Sequence, residues 1–417
     1  EPLIGVVNTA VMGRLADPAY IGGVAVGGLI FAFLFWGFGF LRLSTGGFAA
    51  QATGARDDDS LVQVLARSLV IAFTVGLLLL LTSPWVGPLA VRLVGGSAAV
   101  MAAAQTYFTW RVWSAPAALA NFAIMGWFIG QGRASTAFIV QLVLNCTNMA
   151  LSAALVLGAG KGPEGVGLAA VLAEYTAVSL GLLLAFRRTS SLGIWPRWAD
   201  ILDRARMLAL IAINRDIMIR TFLLVFAFGW FFARSARQDD VTVAANAIGI
   251  NLFDVTAYMI DGFAYAAEAL VGQAIGAQWR EGFHRAIRLT TLWAFVLGGL
   301  CALALLVFAG PLTRLMTVNP EVQALARAIM PWAALSTLLG TACFQLDGIF
   351  TGALASSHMR NMMILSLMIY MAAWFVLEPA FGNAGLWAAL NVFFLARGVT
   401  FASRLPAIER RVFAQIA

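Results

Sequence analysis

Three carboxylates recur at seven-residue intervals within one apolar segment of the chain. Asp254, Asp261 and Glu268 are surrounded there by hydrophobic residues. Because a heptad drifts only about 20° around a helix, a helix places all three on one face. Acids on one stripe repel one another unless a proton or a cation joins them. Since ionisable groups inside a membrane cost about 3 kcal/mol or more each and normally face a partner or cavity, this stripe favours cation binding over an internal salt bridge or a helix cap.

Other apolar segments carry polar residues of the same kind. A carboxyl group in a low-dielectric pocket can take up a proton near neutral pH, so buried acids are candidate coupling groups for an ion or a cationic substrate. The further candidates of this class are Glu174, Asp347, Asn145, Asn148 and Ser152. Arg42 is expected to act as a fixed counter-charge. An interfacial structural ion network is expected from Asn214, Arg215, Asp216 and Arg220.

Composition places these groups in a membrane. Of the 417 residues, 61% are hydrophobic and 11% are charged, and the mean hydropathy is +0.86. Soluble domains carry about a quarter of their residues as charged groups, so soluble domains are excluded. The net charge of +7 comes mostly from arginines between the apolar runs, which argues against a nucleic-acid partner. The three cysteines form no CxxC pair, and core packing is the expected role for each.

Twelve membrane-spanning helices are predicted, six in each half of the chain. The arginines of the chain concentrate in the even-numbered connectors between these helices and in the C-terminal segment. Because positive residues favour the cytoplasmic side of a membrane, this distribution predicts that both termini are cytoplasmic. The expected organisation is an N-terminal lobe at 1–188, a linker at 189–202 and a C-terminal lobe at 203–417. The predicted spans are residues 1–15, 20–53, 61–83, 98–130, 134–158, 165–187, 203–233, 242–276, 284–309, 321–353, 360–378 and 384–404.

The two halves repeat one another. The segment from Ala50 to Ala55 (AQATGA) returns as the segment from Gly272 to Ala277 (GQAIGA), so that Gln273 follows Gln51 by 273 − 51 = 222 positions. At the same offset Gly126-x-x-x-Gly130 matches Gly348-x-x-x-Gly352, a spacing that lets helices approach closely. Pro116 and Pro331 lie within predicted spans and permit either a hinge or a static bend. Parallel repeats of this kind are typical of transporters, with the substrate path between the halves.

Several segments match a catalytic, metal-binding or nucleotide-binding pattern only in part, and their sequence context argues against such a site. Residues 160–165 satisfy GxGxxG but lie in a short connector with no preceding strand. His284 and His358 are not paired as metal ligands, and Asp57-Asp58-Asp59 suits a helix start. No nucleophile–base pair or ATP-binding module is found in the sequence. We therefore expect a protein that is not an enzyme, needs no cofactor and draws on a proton or sodium gradient.

Six segments of the chain carry the signatures of one known family. They are Pro2–Gly13, Phe40–Thr45, Ala173–Tyr175, Asn214–Ile217, Ile260–Tyr265 and Leu346–Ile349. In these segments the sequence resembles the multidrug and toxic compound extrusion (MATE) transporters, in their DinF-like branch, and the resemblance covers essentially the whole chain. It implies an all-α membrane protein with a V-shaped fold of two six-helix lobes, which exports cationic amphiphilic compounds driven by inward proton or sodium flow.

The sequence departs from the family pattern at two positions. Asn8 stands where the family usually has an aspartate in its first helix, and Ser152 stands where the fifth-helix pattern often ends in aspartate. Asparagine has nearly the shape of aspartate but cannot ionise. Either Asn8 is an engineered lock, or coupling has moved to the acids of the C-terminal lobe. Asn8, Asn145 and Asn148 are expected to line the N-terminal cavity.

The resulting hypothesis is a monomeric secondary antiporter of the bacterial inner membrane. Its partners are the lipid bilayer and cationic or amphiphilic small molecules, and Asp261, Glu268 and Asp347 bind the coupling cation or substrate. One alternative is a flippase for a lipid or lipid-linked saccharide, which predicts a strongly cationic cavity for pyrophosphate. Another is an intramembrane enzyme or a receptor that transports nothing.

Overall fold

The computed structural model describes residues 18–196 and 198–414, which fold almost entirely into α-helices. The predicted first span at 1–15, with Asn8, lies outside the described residues. The helices are α1 Pro18–Gly37, α2 Phe40–Gly54, α3 Asp58–Val94, α4 Ala98–Arg111, α5 Ala115–Gly130, α6 Ala134–Ala153, α7 Pro163–Leu192, α8 Trp198–Ile201, α9 Arg204–Ser235, α10 Asp240–Gly276, α11 Arg280–Val307, α12 Ala309–Met316, α13 Pro320–Gly352, α14 Ser356–Ala402 and α15 Leu405–Val412.

Within the described residues, ten helical stretches are long and apolar enough to cross a membrane. The last of them runs over Ser356–Val412 and contains both the eleventh and the twelfth predicted spans. Inside α14, Gly382 has non-helical angles, with φ 57° and ψ −131°. The Ser366 and Thr400 hydroxyls are 3.2 Å apart across this break, whereas a straight helix would separate them by about 50 Å. The helix therefore folds back at Gly382 into two antiparallel arms, which are the two predicted spans.

The helix boundaries differ from the sequence prediction where prolines occur. The third predicted span ends at residue 83, but α3 continues through Pro84 and Pro88 to Val94. The fourth predicted span is interrupted by a 3₁₀ turn at Val112–Ser114. Pro116 follows that turn in the first positions of α5, where no backbone N–H is required. Pro331 lies within a continuous α13.

Contacts divide the chain into two compact units. Of the described residues, one unit comprises 18–49 together with those in Asp57–Ala209, and the other comprises Ala50–Arg56 together with 210–414. In the first unit, α1 packs on α4, α3 packs on α5, and α6 packs on α7. In the second unit, α13 packs against α10, α11 and α14. Large apolar side chains within the spans, such as Leu77 and Phe375, remain exposed, as expected for residues whose solvent is lipid.

Equivalent glycines make equivalent contacts in the two units. A Cβ on Gly126 would lie 2.2 Å from the carbonyl oxygen of Arg42 in the first unit. A Cβ on Gly348 would lie 2.1 Å from the carbonyl oxygen of Ala264 in the second unit. Both members of the second contact follow those of the first by 222 positions, since 348 − 126 and 264 − 42 are equal. The predicted repeat is therefore present as a repeated helix crossing, and the predicted tight packing at these glycines is confirmed.

The repeated Gln-Ala-x-Gly-Ala segments also meet within the second unit. A Cβ on Gly54 would lie 1.9 Å from the Gln273 carbonyl oxygen, and one on Gly276 would lie 1.9 Å from the Gln51 carbonyl oxygen. Gln51 Nε2 donates a hydrogen bond of 2.9 Å to the carbonyl oxygen of Gly352. Each copy therefore places its glycine against the backbone of the other, which only a residue without a side chain allows.

We predict that Gly348→Ala destabilises the protein by about 1–3 kcal/mol, because its methyl group overlaps the Ala264 carbonyl and forces α10 and α13 apart. The matched control is Gly262→Ala on α10, where an added Cβ meets nothing within 4 Å. That change should be neutral or stabilise by up to about 1 kcal/mol, since alanine is the better helix former. Thermal unfolding midpoints of both variants in detergent test this, and equal midpoints would contradict the packing argument.

Candidate functional site

The second unit contains a buried cluster of two arginines and one aspartate. Arg220 on α9 and Arg397 on α14 both donate through Nη2 to the same oxygen, Oδ2 of Asp347 on α13. The Arg397 side chain is 1% exposed, that of Arg220 is 10% exposed and that of Asp347 is 13% exposed. Two guanidinium groups at this depth repel each other unless an anion lies between them. Asp347 therefore serves as their shared counter-charge.

The helices around Asp347 explain how three distant positions come together. Gly348, the next residue, allows α13 to approach the backbone of α10 at Ala264. The reversal of α14 at Gly382 returns its second arm so that Arg397 reaches Asp347. Asp261 on α10 also attracts Arg220 through their opposite charges. The cluster thus joins residues from four helices of one unit.

The predicted acidic stripe on α10 is unequally buried. Glu268 is 1% exposed, whereas Asp254 and Asp261 are half-buried. No side chain or backbone group that the structure describes makes a hydrogen bond or ion pair with the Asp254 carboxylate. Asp347, predicted as a member of the same coupling set, is instead bound to two arginines. The four acids therefore occupy different electrostatic environments.

The ion network predicted at the start of α9 contains two of its four expected members, Arg215 and Asp216. Asp216 Oδ1 accepts hydrogen bonds from Arg360 Nη1 at 2.6 Å and from Arg215 Nη2 at 3.1 Å. Asn214 is 5% exposed, and neither polar atom of its side chain has a hydrogen-bond partner among the described residues. The prediction that Arg220 joins this network is wrong. Arg220 lies one turn deeper on the same helix, and its hydrogen bond reaches Asp347 instead.

The first unit holds a second group of polar residues. Asn121 Nδ2 on α5 donates to Oε2 of Glu174 on α7 at 2.7 Å and to the Glu174 carbonyl oxygen at 3.2 Å. Asn148 and Ser152 on α6 are 2% and 0% exposed. Within the described chain, the Oδ1 atoms of Asn121 and Asn148 and the Oγ of Ser152 have no hydrogen-bond partner. These residues supply oxygen atoms, which are ligands that hard cations accept.

Packing of α6 on α7 indicates that Asn148 and Glu174 lie at a similar height along these two helices. Leu144 on α6 and Ala177 on α7 belong to one buried cluster, and the two helices are neighbours in the chain. Asn148 lies one turn beyond Leu144, and Glu174 lies about one turn before Ala177. Asn145 is bound differently, since Gln141 Nε2 donates to its Oδ1 at 3.0 Å. Arg42 on α2 is half-buried in the same unit.

Sequence reasoning missed two residues of these clusters. Arg397 and Asn121 lie inside predicted spans, at 384–404 and 98–130, and the rule that flagged Asp347 applies to Arg397 as well. A third polar group was also missed. Glu378 accepts from Arg234 Nε at 3.0 Å and from Trp374 Nε1, and the spacing of Trp374 and Glu378 by one helical turn was the available signal.

Comparison with known proteins now assigns the family. The MatE family model matches residues 1–154 and 217–376, and the chain belongs to this family of MATE transporters. It is 37% identical over 406 residues to DNA damage-inducible protein F of Escherichia coli (strain K12), covering 96% of this chain and 87% of that protein. The protein is thus a multi-pass membrane transporter of the multidrug and toxic compound efflux class, and the predicted resemblance and helical fold class are confirmed.

Two solved structures have the same fold. The MATE transporter VcmN of Vibrio cholerae in its bent form gives a TM-score of 0.86 at 18% identity, covering 98% of this chain and 94% of that one. A MOP superfamily transporter from Pyrococcus furiosus gives 0.87 at 15% identity, covering 100% and 93%. For that protein, a reversed polarity of the binding pocket suggests a different function. Because MATE proteins are transporters, the expectation that this chain is not an enzyme is confirmed.

We predict that Asp347→Asn lowers the free energy of unfolding by about 3–5 kcal/mol, because it leaves two buried arginines without their carboxylate. The control is Glu409→Gln, which breaks a 2.7 Å pair with a largely exposed Arg280 and should cost about 0–1 kcal/mol. Adding Arg397→Gln to Asp347→Asn should cost less than the sum of the single changes. Unfolding curves in detergent decide between these values. If Asp347→Asn and Glu409→Gln lower the free energy of unfolding by similar amounts, the assignment of Asp347 as a shared counter-charge is contradicted.

Proposed function

We propose that this protein is a secondary antiporter that exports cationic or amphiphilic compounds across the bacterial inner membrane in exchange for protons or sodium ions. The observation that carries the proposal is the presence of carboxylates inside membrane-spanning helices of both units of a MATE-family chain. Glu174 lies in α7, and Asp254, Asp261 and Glu268 lie in α10. Such groups mark ion pathways because they are costly to keep in a membrane for structure alone.

The acids divide into a structural and a coupling set in this proposal. Asp347 is shared by two arginines, so a proton or cation arriving there must compete with both. We therefore assign Asp347 as a counter-ion and assign coupling to the α10 acids, with Asp254 and Asp261 half-buried and Glu268 fully buried. Of these three, Asp254 makes no hydrogen bond or ion pair with a residue that the structure describes, so its carboxylate changes protonation more readily than one held between two guanidinium groups.

In the first unit, we assign Glu174 as the titratable group and Asn121, Asn148 and Ser152 as neutral oxygen ligands. Asn8 is proposed to line the same cavity, together with Asn145. Because asparagine cannot exchange a proton, Asn8 would support binding without carrying coupling. Protonation or ion binding at either set would then bias the alternation of access between two lobes, 1–188 and 203–417, joined by the linker 189–202.

The surroundings of the transporter follow from the same proposal. We propose a monomer with both termini in the cytoplasm, since the duplicated chain already supplies both lobes. A flippase for a lipid-linked saccharide would need several uncompensated cations for a pyrophosphate. Arg220 and Arg397 share Asp347, so the cluster offers one net positive charge, and Asp261 attracts Arg220 as well. This charge balance supports the exporter over the flippase.

We predict that neutralising the coupling acid abolishes gradient-driven export of a cationic dye in proteoliposomes but preserves passive dye exchange, because the substrate route remains while the ion is no longer linked to it. The variants are Glu174→Gln, Asp254→Asn, Asp261→Asn and Glu268→Gln, measured under imposed proton and sodium gradients. The matched control is Asp59→Asn, an exposed acid in the first turn of α3, which should export normally.

The same assay includes Asn8→Asp. If the unaltered chain is inactive and Asn8→Asp exports dye with proton influx, coupling belongs to the first helix rather than to α10. If all four neutralised variants still accumulate dye, the assignment of these acids is wrong. If no cation moves under either gradient with any variant, the exporter proposal fails, and translocation of a lipid-linked saccharide becomes the assay to run.

A further inference from the structure

The short helix α8 is fastened to the first unit by one buried arginine. Arg67 on α3 is 4% exposed. Its Nε donates to the carbonyl oxygen of Ile201 at 3.3 Å, and its Nη2 donates to that of Asp200 at 2.6 Å. The last carbonyl groups of a helix have no partner within the helix, so Arg67 supplies the missing donors. Ile201 is itself buried, and α8 is therefore held firmly against α3.

The segment around this contact exposes large apolar side chains. Trp195 is 58% exposed, Trp198 is 71% exposed and Leu202 is 59% exposed. Because Arg67 fixes α8, this exposure is a constant feature of the segment. Tryptophan is enriched where membrane hydrocarbon meets water, since its ring is apolar and its indole N–H is polar. The exposed side chains therefore fit a membrane interface better than open water.

Trp195 packs against the exposed apolar surface of the preceding spanning helix. Its ring centroid lies 5.4 Å from that of Phe186, near the end of α7. Phe186 is more than half exposed and follows Leu172 and Leu183 in a row of exposed apolar side chains. The helix that carries this row is long and apolar enough to cross a membrane. Trp195 is therefore continuous with the surface that α7 turns towards lipid.

The same part of the chain carries an excess of positive charge. Residues 187–206 contain five arginines and two aspartates, which gives 5 − 2 = +3. Arg188 and Arg206 donate to glutamine side chains of the same unit at 3.4 Å and 2.9 Å. Arg187 and Arg204 are exposed, and neither forms a hydrogen bond or ion pair with a residue that the structure describes. Their guanidinium groups are therefore available to an anionic partner.

We propose that Arg187, Trp195, Trp198 and Arg204 form a membrane-interface anchor, the linker surface, which binds the headgroup of an anionic phospholipid. The tryptophan rings lie in the interfacial layer, and the two guanidinium groups pair with the headgroup phosphate, which suits their geometry. A zwitterionic headgroup carries its own ammonium group and is attracted less. The anchor goes beyond the proposed function, because antiport by itself requires no particular lipid.

The end of α3 provides a matched control within the same unit. Trp85 is 73% exposed there, and Arg92 is exposed two turns later. Arg92 is the one charged residue in the sequence from 83 to 97, whereas residues 187–206 carry a net charge of +3. Trp85 therefore reports on an exposed tryptophan of a spanning helix without a concentration of positive charge.

We predict that brominated phosphatidylglycerol quenches Trp195 and Trp198 more strongly than brominated phosphatidylcholine, at equal mole fraction in nanodiscs that contain both lipids. The signal of these residues is the fluorescence difference between the unaltered protein and the double variant Trp195→Phe with Trp198→Phe. The local preference for phosphatidylglycerol should be about five-fold, as expected for a basic residue close to an anionic surface. It should disappear when Arg187→Gln and Arg204→Gln are combined and persist in Arg92→Gln.

The signal of Trp85, obtained in the same way from Trp85→Phe, should show a much smaller preference. Equal quenching of the linker surface by both brominated lipids would overturn the preference for an anionic headgroup. A preference that survives the loss of both arginines would overturn their assignment. If neither lipid quenches Trp195 and Trp198, the anchor itself is refuted, as expected of a surface that binds a soluble protein instead. None of these results depends on whether a cationic dye is exported.

Discussion

The cost of an ionised group in hydrocarbon governs how the polar residues of this protein are arranged. Each charge in a spanning helix must meet an opposite charge, a hydrogen-bonding partner or a transported ion. Arg234 meets Glu378 at 3.0 Å, Asn121 meets Glu174 at 2.7 Å, and Arg220 and Arg397 meet Asp347. Each pair joins different helices, so the requirement for charge compensation also determines which helices stay together.

Two of the helices that carry these pairs are also held by close glycine contacts. Gly126 and Gly348 bring α5 and α13 against the backbones of α2 and α10. Asn121 lies on α5 and Asp347 lies on α13. Each of these helices is therefore joined to some neighbours through a polar pair and to another through a backbone contact at a glycine.

The sequence predicted the elements of the fold better than the partners of the ionisable residues. Hydropathy located the spans, and the offset of 222 positions located the glycine contacts, because both are local patterns that the chain repeats. The sequence pattern predicted that Arg220 pairs with Asp216, because the two residues are one helical turn apart and a sequence gives no distance between helices. The true partner, Asp347, is 127 positions away. Arg397 was missed for the same reason, as its position depends on the reversal of α14 at Gly382.

The charged cluster at Asp347 occurs in only one copy of the internal repeat. The residue 222 positions before Asp347 is Met125, and the one before Arg397 is Tyr175, whereas the glycine crossings occur in both copies. An ancestral duplication therefore left two scaffolds of the same geometry whose side chains diverged afterwards. Selection could alter the ion chemistry of one half while the other kept its own, so a duplicated gene of this kind can change what it transports without having to change how it folds.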